Sequence, residues 1–180
     1  SKSKKIIESH SKAIFLNKNF VLSGAIDSDI KKLSIFYKKY KIKGYREIKK
    51  IFKVIKQIDL LIISTPHLNH YECVKKSLKY YKPKLILCEK PMGFSHNDSK
   101  KIKQICKTHN VPLKINYIRR LERFKISTIK KNLDKNNNEA TVYYSKNVLT
   151  NGSHFIDLFN IIFGGFKNII HKHRYINKTK

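Results

Sequence analysis

Apolar and polar positions follow two alternating spacings along the first two thirds of the chain. Short continuous apolar runs predict buried strands, and stretches with apolar residues every three or four positions predict helices. The predicted strands are FVLSGAI (20–26), DLLIIST (59–65), KLILCEK (84–90) and VPLKINY (111–117). The predicted helices are 5–16, 27–40, 45–57, 67–81 and 96–110, the last with Ser95 or Asn97 as its cap. This alternation predicts an α/β fold with a doubly wound parallel sheet and right-handed crossovers.

The pattern changes after residue 118. A basic stretch leads into the turn-rich segment LDKNNNEA (133–140), EATVYYSK (139–146) predicts a strand, and SHFIDLFNIIFGG (153–165) predicts a helix that ends at glycine. We therefore expect one domain over 1–118 and the beginning of a second, α+β domain over 119–180.

Polar groups follow the predicted strands directly. These strand ends are Asp27, Ser64-Thr65-Pro66, Glu89-Lys90-Pro91 and Asn116-Tyr117. Ligands of open α/β sheets bind at the carboxyl ends of the strands, so these residues are the predicted binding site.

Asp27 follows the first predicted strand and suggests a cofactor. A carboxylate in this place can accept hydrogen bonds from the ribose hydroxyls of a dinucleotide, and its charge would repel a 2′-phosphate. NAD is therefore expected rather than NADP. The alternative is that Asp27 or Ser28 only caps the next helix.

A dinucleotide-binding fold also needs a glycine-rich turn after its opening strand. The segment before Phe20 contains no glycine. Either the chain begins after that turn or the cofactor site is degenerate, and the helical pattern of 5–16 favours the first interpretation.

The formal net charge of +28 suggests a nucleic-acid partner, but the charge distribution argues against one. Lysines occupy polar positions along the whole chain without a block of five or six, so we predict no nucleic-acid binding. A basic nucleic-acid-binding module stays as a third hypothesis. Three dispersed cysteines give no metal-binding spacing, and no apolar run is long enough for a membrane span or a signal peptide. We expect a soluble, cytoplasmic protein with no metal.

Four ordered motifs carry a resemblance to a known family. DLLIISTPHLNHYECVKKSL, LILCEKPMGFS, LKINYIRRLE and NGSHFIDLFNIIFGG occur in this order over nearly the whole chain. Together they resemble the glucose-fructose oxidoreductase and inositol dehydrogenase family (Gfo/Idh/MocA), whose members are dinucleotide-dependent dehydrogenases of sugars and cyclitols. The resemblance implies a Rossmann-type first domain.

The resemblance also implies roles for individual residues. Lys90 would stand beside the nicotinamide and contact the hydroxyl being oxidised, with a cis peptide bond to Pro91. His154 would act as general acid or base, and Asp157 would face the substrate or orient the histidine. Many members carry an aspartate where this chain has Thr150, which leaves Lys90 and His154 as the predicted catalytic pair.

The remaining implied contacts concern the cofactor. Ser64, Thr65, Pro66, Glu89 and Pro91 would lie along it, and Arg119 would reach a cofactor phosphate unless it is a solvated surface residue. The resemblance further implies a sugar or sugar-nucleotide substrate, a homo-oligomer in the full-length form, and a chain truncated at both ends. The alternative is a non-catalytic NAD- or sugar-binding protein of the same fold.

Overall fold

The computed structural model describes residues 9–134 and 139–166, and it divides the chain into two compact units, Ser1–Asn116 and Tyr117–Lys180. The predictions for 5–8 and for half of the segment LDKNNNEA, residues 135–138, lie outside the described residues. None of the described helices is long and apolar enough to cross a membrane.

The first unit alternates strands and helices, and every strand pair in it is parallel. The strands are β1 (Ala25–Ile26), β2 (Gly44–Tyr45), β3 (Leu60–Ile63), β4 (Leu85–Cys88) and β5 (Leu113–Ile115). The helices are α1 (His10–Leu16), α2 (Ile30–Tyr40), α3 (Ile48–Val54), α4 (His70–Tyr80) and α5 (His96–Thr108). The predicted parallel α/β fold is confirmed.

The strands form two sheets rather than one. β1 pairs with β2, and β3, β4 and β5 form the second sheet in that order. Within the described residues no ladder joins β1 to β3, so each of these strands is hydrogen-bonded on one side only.

Two predicted element boundaries were wrong. The predicted strand over 20–26 is reduced to Ala25–Ile26, the two residues that pair with β2. The predicted helix over 45–57 begins only at Ile48, because Gly44 and Tyr45 extend to pair with β1 and Glu47 keeps an extended backbone as the N-cap. At Tyr45 strand pairing overrides the local helical spacing, whereas at 20–24 the apolar run has no strand partner among the described residues.

The hydrophobic core of this unit lies between the three-stranded sheet and the helices α4 and α5. Ile86 at the centre of the sheet and Ile102 on α5 have no exposed surface. Ser95 caps α5 by accepting a hydrogen bond from the backbone N–H of Asp98, as the sequence predicted. This packing fixes the carboxyl ends of β3, β4 and β5 relative to one another.

The second unit contains helices in its described part. A 3-10 turn (Ile118–Leu121) precedes α6 (Arg123–Lys131), and a π-helical turn (Val148–Gly152) leads into α7 (Ser153–Phe163). α7 ends at Gly164, whose φ of 81° is the left-handed conformation that glycine adopts without strain, as predicted. The strand predicted over 139–146 is wrong, because no described backbone pairs with it.

Candidate functional site

The carboxyl ends of β3, β4 and β5 meet at one edge of the sheet. The backbone N–H of Glu89 donates to the carbonyl of Ile63 at 2.9 Å, and that of Asn116 donates to the carbonyl of Cys88 at 2.8 Å. The ladder therefore continues by one residue past each strand. It places Glu89, which follows β4, between the end of β3 and Asn116.

Glu89 is the centre of a hydrogen-bond network at this edge. Its Oε1 accepts from Asn116 Nδ2 at 2.6 Å and lies 2.7 Å from His10 Nε2, and its Oε2 lies 3.3 Å from the backbone N–H of Lys90. Because a carboxylate only accepts, Nε2 of His10 carries the proton in this contact. The network fixes the residue that immediately precedes Lys90.

The network also changes the acidity of Glu89. Burial raises the pKa of this half-buried carboxyl, but the hydrogen bonds from Asn116 and His10 favour the charged form more strongly. The pKa of Glu89 therefore lies below its ordinary value, and the group is ionised at neutral pH. Sequence reasoning missed this contact of His10, which lies 79 positions away from Glu89.

The Lys90–Pro91 peptide bond is cis, as the resemblance implied. Gly93 follows two residues later and is buried. A Cβ atom there would lie 2.8 Å from the backbone nitrogen of Ser99, closer than real contacts allow. The turn after β4 is therefore packed directly against the start of α5.

His70 joins the turn after β3 to the turn after β4. Its Nε2 lies 2.8 Å from the carbonyl of Thr65, and its Nδ1 lies 3.0 Å from the carbonyl of Pro91 and 3.2 Å from that of Met92. The ring is buried at the start of α4. It fixes the spacing between two segments that were predicted to bind the cofactor.

Asp27 lies at the carboxyl end of β1, where its backbone N–H donates to the carbonyl of Tyr45 at 3.2 Å. Its Oδ1 accepts from the backbone N–H of Asp29 at 2.9 Å, and its Oδ2 lies 3.9 Å from Lys32 Nζ. The cap of α2 is Asp29. The alternative that Asp27 or Ser28 caps this helix is therefore wrong, and the cofactor role of Asp27 stays a prediction.

Ser64, Thr65 and Pro66 form the exposed turn between β3 and the 3-10 turn His67–Asn69. The Thr65 hydroxyl lies 3.6 Å from Cys73 Sγ. The turn is exposed, which suits a role along a cofactor but does not test it.

In the second unit, α7 carries His154 and Asp157. The ring of His154 packs edge-on against Tyr117 with the centroids 6.0 Å apart. Asp157 is nearly buried and accepts two hydrogen bonds from the Arg120 guanidinium, one at 2.7 Å from Nε. A substrate role for Asp157 stays a prediction, and its observed partner is Arg120.

Arg119 and Thr150 have observed contacts of their own. The Arg119 guanidinium lies over the ring of Phe155, 4.6 Å from its centroid. Thr150 forms a reciprocal capping box with Asn147 in the π-helical turn before α7. Thr150 therefore acts at least as a helix-capping residue, and the cofactor role of Arg119 stays a prediction.

The family model described as an oxidoreductase family with an NAD-binding Rossmann fold, Gfo/Idh/MocA, matches residues 4–117. The chain belongs to this family. The match covers the parallel sheets and the turns after β1, β3 and β4. No curated protein sequence matched the chain.

Solved structures show the same Gfo/Idh/MocA fold. A dehydrogenase, MviM, from Clostridium difficile is 16% identical with a TM-score of 0.71, covering 92% of this chain and 56% of its own. The apo scyllo-inositol dehydrogenase from Lactobacillus casei is 18% identical with a TM-score of 0.59, covering 68% and 37%. A Desulfitobacterium hafniense protein, described provisionally as an NADPH-dependent oxidoreductase, is 18% identical with a TM-score of 0.67, covering 87% and 53%. The chain thus spans about half or less of these structures.

Proposed function

We propose that the protein is, or is part of, an NAD-dependent oxidoreductase that transfers a hydride between a hydroxyl-bearing carbon of a sugar, sugar nucleotide or cyclitol and nicotinamide. One observation carries the proposal. In a chain of this family, the residues on either side of Lys90 are fixed by hydrogen bonds: the Glu89 carboxylate accepts from Asn116, and the Pro91 carbonyl contacts the His70 ring. A turn fixed in this way suits a residue whose ammonium must meet a reacting hydroxyl.

Each residue of the proposed catalytic set has a defined task. Nicotinamide, when bound, accepts the hydride from the alcohol carbon. The hydroxyl proton must leave at the same time, and His154 as general base would take it. The Lys90 ammonium would donate a hydrogen bond to the same oxygen and stabilise its growing negative charge. Asp157 would orient the substrate.

The described residues fit part of a dinucleotide. The partly exposed carboxylate of Asp27 can accept hydrogen bonds from ribose hydroxyls. Its charge would repel a 2′-phosphate, which favours NAD over NADP. Ser64, Thr65, Pro66, Glu89 and Pro91 line the sheet edge and Arg119 would reach a phosphate. Residues 9–23 contain no glycine, so the phosphate-binding turn is not among them.

We propose a cytoplasmic homo-oligomer that binds neither nucleic acid nor membranes, which agrees with the absence of a lysine block and with three free cysteines, Cys73, Cys88 and Cys106. The second candidate is a non-catalytic binding protein of the same fold, because Thr150 stands where many members of the family carry an aspartate.

The test compares cofactor binding with turnover. Calorimetry with NAD and NADP on the 180-residue chain, and on any longer product of its gene, should show tighter NAD binding that weakens in Asp27→Asn. Lys90→Ala should lower turnover of a cyclitol or sugar by orders of magnitude with little change in NAD binding, while Lys103→Ala, exposed on α5, should match the wild type. NAD binding without turnover by any variant would favour the non-catalytic candidate.

A further inference from the structure

Tyr117 contacts two side chains of the second unit that belong to the proposed site or hold it. Its ring packs edge-on against the ring of His154, with the centroids 6.0 Å apart and the ring planes at 86°. The guanidinium of Arg120 lies over the Tyr117 ring, 5.4 Å from its centroid. Tyr117 therefore contacts both the proposed general base and the ion-pair partner of Asp157.

These contacts belong to a closed ring of four side chains on two elements. Tyr117 is the N-cap of the 3-10 turn, and Arg120 is the third residue of that turn. His154 and Asp157 are three positions apart on α7 and share one face of the helix. The two hydrogen bonds from Arg120 to Asp157 close the ring. The 3-10 turn thus contacts α7 at two places about one helical turn apart, so α7 cannot rotate about its axis without losing a contact.

The helix alone does not fix the imidazole of His154. The last side-chain torsion of a histidine is broad and roughly two-fold, so the backbone does not decide where each ring nitrogen points. A general base must hold one nitrogen within hydrogen-bond reach of the proton that it removes. A neighbouring ring that packs edge-on against the imidazole restricts its rotation, because the turning ring would collide with its neighbour. Tyr117 is such a neighbour.

The contact between the two rings depends on shape rather than on charge. Burial raises the pKa of the Tyr117 phenol, and the Asp157 carboxylate raises it further, while Arg120 lowers it by less. The phenol therefore stays neutral at pH 7 and adds no charge beside His154. Because the contact joins the two rings, it should survive the loss of the hydroxyl group.

We propose that Tyr117 is a positioning residue for His154, whose imidazole it holds in the orientation that takes the substrate proton. This role rests on the proposed function, because it needs His154 to be the general base. Arg120 supports the same arrangement, since its guanidinium packs on the Tyr117 ring while it holds Asp157.

The test compares two replacements of Tyr117. Tyr117→Leu removes the ring and keeps an apolar side chain, whereas Tyr117→Phe keeps the ring and removes the hydroxyl group. If Tyr117→Leu does not fold, Tyr117→Met takes its place, since a flexible thioether fills irregular space. The matched control is Tyr143→Leu, because Tyr143 belongs to the same unit and is 93% exposed. Circular dichroism checks that each variant is folded.

The first readout is the rotation of the His154 ring in the 180-residue chain, which needs no turnover. The ring signals of His154 are identified by NMR from their absence in His154→Gln. Their carbon order parameters and relaxation dispersion report ring motion from picoseconds to milliseconds. Tyr117→Leu should increase this motion, and Tyr117→Phe and Tyr143→Leu should leave it as in the wild type. Unchanged ring motion in Tyr117→Leu would overturn the proposal.

The second readout is turnover of a cyclitol or sugar. Tyr117→Leu should lower kcat by about 10- to 100-fold with the KM for NAD unchanged, because a small misplacement of a catalytic group has an effect of this order. Tyr117→Phe should restore kcat. Added to His154→Gln, Tyr117→Leu should have no further effect, since it then has no imidazole to position. An equal loss of kcat with and without His154 would overturn the proposal.

The same variants separate the role of Tyr117 from the proposed function. His154→Gln that turns over substrate as fast as the wild type would refute the general-base role, and the proposed mechanism with it. A slow His154→Gln beside a Tyr117→Leu with the kcat of the wild type would keep the proposed function and overturn the role of Tyr117.

Discussion

Asn116 Nδ2 lies 2.6 Å from Glu89 Oε1, and this hydrogen bond joins the carboxyl ends of β5 and β4 across 27 positions of sequence. His10 approaches the same oxygen from α1. The Glu89 carboxylate thus connects three elements at the sheet edge, directly beside the proposed catalytic Lys90. Its charge state should therefore matter for both stability and geometry.

The first prediction concerns the acid side of the stability curve. The pKa of Glu89 is lower in the folded chain than its ordinary 4.5, so the unfolded state binds more protons at intermediate pH. Its contribution is present in full above about pH 4.5 and is lost as pH falls through the lowered folded pKa.

Urea unfolding of wild type and Glu89→Gln between pH 3 and 7 measures this contribution. The difference in unfolding free energy should be largest at neutral pH and shrink in acid. Glu139→Gln, exposed in the second unit, should track the wild type throughout. A difference between Glu89→Gln and wild type that stays constant with pH would contradict the lowered pKa.

The second prediction concerns His70. His70 is 1% exposed and connects the carbonyls of Thr65 and Pro91, so its removal leaves a cavity and takes away the hydrogen-bond partner of both carbonyls. His70→Ala should lower the unfolding free energy by about 2–4 kcal/mol. His96→Ala, on the exposed first residue of α5, should change it by less than about 0.5 kcal/mol.

The NAD affinity of the folded His70→Ala variant tells whether His70 does more than pack in the core. If His70 fixes the spacing of the two turns, His70→Ala should also weaken NAD binding under conditions where the variant is fully folded. NAD affinity equal to that of the wild type in folded variant would show that the ring serves packing alone.

The third prediction concerns the cysteines. Burial raises the pKa of Cys88 to about 12 and that of Cys106 to about 11, so both thiols stay protonated at pH 8. Cys73 is only partly buried. Iodoacetamide should therefore modify Cys73 first in the native chain, and Cys88 and Cys106 only after unfolding, as peptide mass spectrometry can show. Modification of Cys88 by iodoacetamide before unfolding would contradict its burial in the core between β4 and α4.

The sequence predicted the elements of the first unit well where a continuous apolar run or a helix cap marks the element locally. β3, β4 and α5 with its Ser95 cap appear close to the predicted places, because burial and capping leave local signals. Local spacing could not predict that Gly44 and Tyr45 would pair with β1, since that pairing depends on a distant strand.

In the candidate site, contiguous residues could be predicted from the sequence and contacts between distant residues could not. The motif around Lys90 was visible because its residues are contiguous, and its cis bond followed from the resemblance. The contacts of His10 with Glu89, and of Arg120 with Asp157, join residues 79 and 37 positions apart and left no signal in a single sequence. They depend on the fold that brings the elements together.

The last prediction concerns Arg120 and Asp157. Asp157 has a side chain only 9% exposed, so its charge depends on the two hydrogen bonds from the Arg120 guanidinium, whereas Arg120 itself is half exposed and loses less on separation. Arg120→Met should therefore destabilise the second unit more than Asp157→Asn does. The double variant should be less destabilised than the sum of the two, with a coupling of about 1–2 kcal/mol.

A cycle of four proteins, unfolded in urea at low and high salt, measures this coupling. Arg123→Met, on the first turn of α6, provides the matched control for loss of one arginine. If Asp157 instead serves mainly to bind substrate, Asp157→Asn should raise KM while the coupling to Arg120 is close to zero. A large coupling with unchanged KM would make the ion pair a structural connection between the 3-10 turn and α7, and would leave His154 as the residue of that helix that meets the substrate.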